Sequence, residues 1–285
     1  MKVIMIMIMI MFLSSGLFTT TSFAQSRTNL LDMLKAKEFE KLESTTKQIQ
    51  SKFEKGALTD IELRNIYRQF YDLNNETLNN LQEWKRKFPS SYAAYLIRGT
   101  YFKRKGFDAR GNKYIAETPL QNLEKMREYH DIAKTELTTS LKLTRKPFLS
   151  VFHLLDISQS EGDEKTSLEL LESANKMLPS NTLARNRYMD SLEPRWGGSY
   201  EQMKDFIAKS KAEGVSAVGI MQLEAIMYDD MGFTAMERDE KRAATEHFLK
   251  ALERAQRVGG EFRKDFLKHS NYYSCREPAL KKYCQ

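Results

Sequence analysis

The chain has 285 residues, of which 41% are hydrophobic and 29% charged, with a formal net charge of +7 at pH 7. That is enough apolar content and length to bury a continuous core, and it excludes an intrinsically disordered chain. Lysine and arginine alternate with acidic residues, as in residues 35–41 and 237–242. This is the pattern of solvated helix faces, so the basic excess does not point to nucleic acid as a partner.

The first 24 residues carry the marks of an export signal. Met1 and Lys2 make a short basic start, Val3 to Leu13 are almost wholly apolar, and Ser22, Phe23 and Ala24 place small residues where a signal peptidase reads. The mature chain is expected to start at Gln25 and to work in the periplasm. Ser14, Ser15 and Gly16 interrupt an apolar run already shorter than the ~20 residues a membrane span needs. No stable membrane span is therefore expected after cleavage. A helical-repeat domain is expected over residues 25–258 and a C-terminal tail over 259–285.

Along the mature chain the apolar residues fall at helical spacing. Leu30, Leu34, Phe39, Leu42, Ile49 and Phe53 predict one long helix or two short ones, ended by Gly56. Thr59 and Glu62 make a capping box for the next helix, and Pro89 stops a further one that carries Leu78, Leu81 and Trp84. Ser90 and Ser91 are N-caps for a helix with Tyr95, Gly99 and Phe102, followed by Gly106. An aromatic, a small residue and a second aromatic, with a later glycine for the turn, is the spacing of tetratricopeptide helices. Residues 107–119, with Arg110 and Gly111, are expected to be an inserted loop, the partner helix following over about 122–143.

That partner helix carries Ala133, Leu137 and Ser140. Ser167, Leu171 and Ala174 repeat the pattern after 34 residues, Met203, Ile207 and Ser210 after 36 more, and Ala244, Phe248 and Ala251 after a further 41. These intervals predict an all-α fold without a sheet, a right-handed solenoid of stacked helical hairpins.

Leu192, Glu193, Pro194, Arg195, Trp196, Gly197, Gly198 and Ser199 hold one of the two tryptophans and two adjacent glycines. Proline ends a helix near Leu192, the glycine pair allows a tight reversal, and Ser199 with Gln202 starts the next helix near Tyr200. Pro194, Gly197, Gly198 and Ser199 are thus a structural connector. Trp196 is expected to plug the space between hairpins. Arg195 either binds an anionic group of a partner or pairs with Glu193 or another acid. Arg195, Trp196 and Arg110 are the candidate partner-binding residues.

The run from Leu192 to Ser199 resembles the hallmark of a bacterial family known as domain of unknown function 4034. Residues 34–42, 92–99, the Ala109-Arg110-Gly111 segment and residues 244–251 are similar to other parts of that family, so the resemblance covers about residues 30–250. It implies an array like the tetratricopeptide or Sel1 repeats and supplies no catalytic residues.

Neither a nucleophile elbow, nor a phosphate-binding glycine loop, nor a zinc-protease helix occurs, and no catalytic residue, cofactor or metal is assigned. Residues 219–223 resemble the Gly-Leu-Met-Gln segment of lytic transglycosylases, but the upstream Glu-Ser pair those enzymes need is missing. His130, His153, His247 and His269 are widely separated and are expected on helix surfaces or half-buried. The aromatic residues Tyr67, Phe70, Tyr71, Tyr92, Tyr95, Tyr101 and Phe102 pack helices together or line a concave groove. Cys275 and Cys284 pair as a disulfide in an oxidising compartment, remain free thiols, or join His269 at a metal that would still lack a fourth ligand. The leading expectation is an exported, non-catalytic scaffold that binds a protein or peptide. The alternatives are an envelope enzyme acting on peptidoglycan and a structural stabiliser of an envelope complex.

Overall fold

The computed structural model describes residues 29–113, 117–270 and Leu280. The segment expected to be an export signal, both cysteines and the His269 side chain lie outside the described residues. Among these residues the fold is all-α, with thirteen α-helices and no strand. They are α1 Leu30–Lys35, α2 Phe39–Glu54, α3 Asp60–Tyr67, α4 Asn75–Lys87, α5 Tyr92–Arg110, α6 Leu120–Ser140 and α7 Phe148–Ser160. The remainder are α8 Glu164–Met177, α9 Leu183–Ser191, α10 Tyr200–Ala212, α11 Ala217–Glu237, α12 Lys241–Val258 and α13 Gly260–Ser270.

Local chemistry sets the boundaries. The first predicted helix divides at Lys37, which takes a left-handed φ of 55°. Its N–H then reaches the Leu34 carbonyl while that of Glu38 reaches Met33, closing the α1 C-terminus. Asp239 ends α11 in the same way. At α3 the predicted capping box forms in both directions between Thr59 and Glu62. Residues Phe39, Leu42, Thr46, Ile49 and Phe53 of α2 are buried on one stripe, as their spacing requires.

The predicted inserted loop is corrected by the structure. α5 continues through Gly106 to Arg110, and the chain reverses only at Gly111, whose φ is 76°. Gly106 therefore makes no turn. Its missing side chain admits the His130 ring of α6, just as Gly99 admits Leu137, whose Cγ would lie 2.6 Å from a Cβ at 99. Contacts at 99 with 137 and at 106 with 130 run in opposite senses, so α5 and α6 are antiparallel. α11 and α12 repeat the device: Gly232 faces Phe248 and Glu224 pairs with Arg254.

The recurring small and large residues are buried as a set. Ala133, Leu137, Ser140, Ser167, Leu171, Ala174, Met203, Ser210, Ala244, Phe248 and Ala251 all lie in the interior, Ile207 being half-buried. Two hydrophobic clusters result, one from Leu30 to Met227 and one joining α11, α12 and α13 with Phe266 and Leu280. α13 lies in the stretch where sequence periodicity is weak.

α3 is the element that shapes the candidate site. Its buried Asp60 carboxylate accepts from the backbone N–H groups of Thr182 and Leu183, both at 2.8 Å. The acid caps α9 from 122 residues away in sequence. This bond draws α3 against α7 and α9 and aims Arg64 of α3, and Arg68 in the 3-10 turn Arg68–Phe70 that follows it, along the same face.

Candidate functional site

Asp60, Arg64 and Arg68 stand at successive turns of one helical stripe. Beyond the Asp60 cap, the Arg64 Nη2 and the Arg68 Nη1 each lie 3.8 Å from the Asp265 carboxylate of α13. The Arg104 guanidinium of α5 lies over the Tyr71 ring at 4.4 Å. Behind them, Lys103 Nζ is 3.0 Å from His153 Nδ1 and donates to Asp156, while Arg187 Nε is 2.7 Å from the other Asp156 oxygen. Five helices, α3, α5, α7, α9 and α13, and the segment after α3 thus contribute to one polar face.

The charges on this face are unequal. Arg64, Arg68, Lys103, Arg104 and Arg187 face Asp156, Asp190 and Asp265. Burial and then the neighbouring Arg68 hold the Arg64 guanidinium below the ordinary arginine range. Burial works against the charge on Lys103 as well, and Asp156 works in its favour. Asp156, flanked by Arg187 and Lys103, is held well below the usual carboxylate range despite its burial. Burial, then the Lys103 charge, keeps His153 neutral far below its normal titration. The Nε groups of Arg64 and Arg104 are buried without a hydrogen-bond partner. Arg68, Arg187 and Asp265 remain over a third exposed, so the outer rim meets solvent. Such a face can bind an anionic group through guanidinium forks and stack a planar one on Tyr71.

Of the sequence-predicted residues, Arg195 enters a second cluster. Its guanidinium donates from Nε to Glu193 at 2.7 Å and lies 3.3 Å from Asp230. Tyr200 donates its hydroxyl to Asp230 at 2.9 Å and lies 2.8 Å from the Thr234 hydroxyl. Burial pushes the Glu193 carboxyl up to about 8 and raises that of Asp230, with Arg195 opposing both. Two buried carboxyls therefore share one cation and hold a proton near neutrality.

The connector geometry follows the sequence with one exception. Residues Pro194–Trp196 form a single 3-10 turn, Gly197 takes a left-handed φ of 96°, and the Ser199 hydroxyl accepts from the Gln202 N–H to start α10. Trp196 is the exception. It is 56% exposed, so it does not plug a space between hairpins. The residue that fills that role is Trp84, fully buried with its indole N–H donating to Glu43 at 3.1 Å. Arg110 ends α5 in a different helix pair and donates to the Gly111 carbonyl at 3.5 Å. It does not meet Arg195.

The expectation for the histidines is also corrected. His130 and His153 are fully buried, because a glycine at 106 makes room for one and Lys103 supplies a donor to the other. His247 is half-buried against the Tyr228 ring. The basic face itself was missed from sequence. Its one local signal is the basic–aromatic spacing of Arg64, Arg68 and Tyr71, while the partners at 104, 156, 187 and 265 come from distant segments.

No protein-family model, curated protein or solved structure matches the chain. Among the described residues no helix is long and apolar enough to cross a membrane, and no group of three or more His, Cys, Asp or Glu is placed to hold a metal.

Proposed function

We propose that the chain is an exported, tetratricopeptide-like helical scaffold that binds a protein or peptide in the periplasm through the face built on α3, α5, α7 and α9. The observation that carries this reading is the set Arg64, Arg68, Tyr71 and Arg104, where guanidinium groups and a ring share a partly exposed surface. Antiparallel pairing in α5/α6 and α11/α12, with the recurring residues buried, supports stacked hairpins, and a right-handed solenoid is the arrangement proposed for them. The export signal at residues 1–24 supports the compartment. Membership of the domain of unknown function 4034 family rests on Pro194, Arg195, Trp196, Gly197, Gly198 and Ser199.

A photocrosslinking residue placed at Arg68 in cells tests the scaffold. A discrete adduct that disappears when Arg104 is changed to Gln supports this face as the binding surface. Absence of any adduct at 68, with adducts formed from position 196 instead, would move the surface to the tryptophan loop. Fractionation with N-terminal sequencing checks the compartment and the start at Gln25.

One observation favours the enzymatic alternative. Glu193, with its carboxyl pushed up to about 8, has the protonation state of a general acid and stands beside the exposed Trp196. Its 6% exposure and its bond to Arg195 weigh against substrate access. Release of soluble fragments from purified peptidoglycan, abolished by Glu193→Gln, would establish that activity.

A further inference from the structure

Among the described residues, Arg104 of α5 is the one guanidinium of the basic face without an acidic partner. Arg64 and Arg68 lie near Asp265, Lys103 donates to Asp156, and Arg187 meets both Asp156 and Asp190. The Arg104 side chain takes part in neither an ion pair nor a hydrogen bond there, and lies over the Tyr71 ring at 4.4 Å. Asp108, one turn further along α5, has the spacing of a partner but is exposed and forms no pair with it. Arg104 is also placed among like charges: burial first, and then Arg187 and Arg104, act against the charge on Lys103, with Asp156 in its favour. A cation that breaks the pairing its neighbours obey is the kind of local departure that functional positions carry.

The packing fixes this side chain before any partner arrives. Phe70 is fully buried and anchors the 3-10 turn ahead of Tyr71, whose N–H donates to the Arg68 carbonyl at 3.0 Å. Tyr101, one turn before Arg104 on α5, donates its hydroxyl to the Leu73 carbonyl at 3.1 Å and ties the same segment to the same helix. Ring and guanidinium are thus held in register, which lowers the ordering cost of binding. Arg104 is half-buried with its Nε inside, so its two terminal nitrogens are the donors left at the surface.

We propose, resting on the scaffold reading above, that the guanidinium fork of Arg104, held over Tyr71, binds a carboxylate of a peptide segment through its terminal nitrogens. One unpaired cation calls for one negative charge, which a carboxylate carries and a phosphoryl group exceeds. Arg68 and Arg187, 39% and 40% exposed, make the rim positive and steer an acidic segment towards the fork. A neutral or basic segment would leave Arg104 as uncompensated as it is now.

The experiment is a fluorescence-anisotropy titration of the full chain at low salt with three labelled decapeptides. One is amidated and holds internal Glu, one has Gln for Glu and a free C-terminus, and one has Gln and an amidated C-terminus. The first or the second should bind at least about tenfold more tightly than the third, as a charge-assisted hydrogen bond allows, and the arm that binds names the carboxylate as a side chain or a chain end. Arg104→Gln should remove that margin, and Arg104→Lys, which keeps the charge without the fork, should recover only part of it. Circular dichroism confirms that each variant is folded. Equal binding of the three peptides, or a margin unchanged in Arg104→Gln, overturns the inference, and full recovery in Arg104→Lys overturns the fork. If no peptide binds, the inference falls as well, while the in-cell crosslink at position 68 decides the scaffold reading separately.

Discussion

Lys103 of α5 points its ammonium group at the Nδ1 of His153 on α7, 3.0 Å away, with both side chains buried. An ammonium can only donate, so Nδ1 must accept and the imidazole must carry its proton on Nε2. Burial and Lys103 lower the His153 pKa well below 6.5, with Arg64 and Arg187 adding to the shift and Asp156 opposing it. Below pH 6.5 the unfolded chain takes up a proton at this residue that the native chain refuses. Stability should therefore decline as the pH falls from 6.5 towards 5, by up to about 1.4 kcal/mol per pH unit. Denaturant melts across this range check it: His153→Gln should flatten this limb, and an unchanged slope would refute the assignment. Nitrogen NMR should show the Nε2–H tautomer throughout.

Asp156 is the acid that makes this arrangement tenable, since it meets both Lys103 and Arg187. Asp156→Asn leaves two cations without their shared partner and should cost about 3–5 kcal/mol, the range for breaking a buried pair. Lys103→Met, which removes a buried charge and keeps the stem, should cost clearly less. Urea midpoints of the two variants decide the order, and the reverse order would mean that Lys103 is the stronger determinant.

Particular residues show where the sequence was legible. Thr59 with Glu62, Ser199 and the sets at 133–140, 167–174 and 244–251 act within a turn or two of themselves, so their spacing carries their role. Gly106 was misleading because a glycine that lets two helices touch and one that turns a chain are the same letter. The difference lies in His130, whose ring is brought there by packing. Trp196 was misread for a similar reason: its size suits a core, but Gly197 and Gly198 bend the loop so that the ring is left outside. The basic face depends on Asp60 capping α9, a bond across 122 residues, and no local pattern encodes it.

Glu193 gives the molecule an opposite, alkaline sensitivity. Its carboxyl is raised from 4.5 to about 8, first by burial and then by the neighbouring Asp230 and Asp190, with Arg195 opposing. The native chain keeps a proton that the unfolded chain loses above 4.5, so this contribution is complete below pH 4.5. It is lost as the pH rises to about 8, with a slope of up to about 1.4 kcal/mol per unit. Glu193→Gln should remove that slope and raise the melting temperature at pH 8 relative to wild type. A variant that melts lower at pH 8 would show that Glu193 is charged and needed as such.

The two adjacent glycines of the connector should differ in kind. Gly197 needs its left-handed backbone but has open space around its Cα, whereas a Cβ on Gly198 would run into the Leu192 carbonyl, with the carbonyl carbon only 2.5 Å away. Gly197→Ala then carries a backbone strain of about 1 kcal/mol. Gly198→Ala forces the backbone apart and should cost more, about 1–3 kcal/mol, as overpacking does. Thermal melts of the two variants test this, with Gly197→Asn as a tolerated control.

Trp196 and Trp84, the chain's two tryptophans, should be separable by light alone. Trp84 is fully buried and bonded to Glu43, while Trp196 is 56% exposed. Iodide should quench a red-shifted fraction of the native emission and leave a blue-shifted fraction untouched. Trp196→Phe should abolish the quenchable fraction while changing stability by no more than about 0.5 kcal/mol, the usual range for an exposed site. Trp84→Phe should instead be clearly destabilising, because it empties part of the core and leaves the Glu43 carboxylate without its indole donor. If Trp196→Phe lowers stability as much as Trp84→Phe, the tryptophan loop is packed against another surface in solution, and that surface becomes the place to look for the partner.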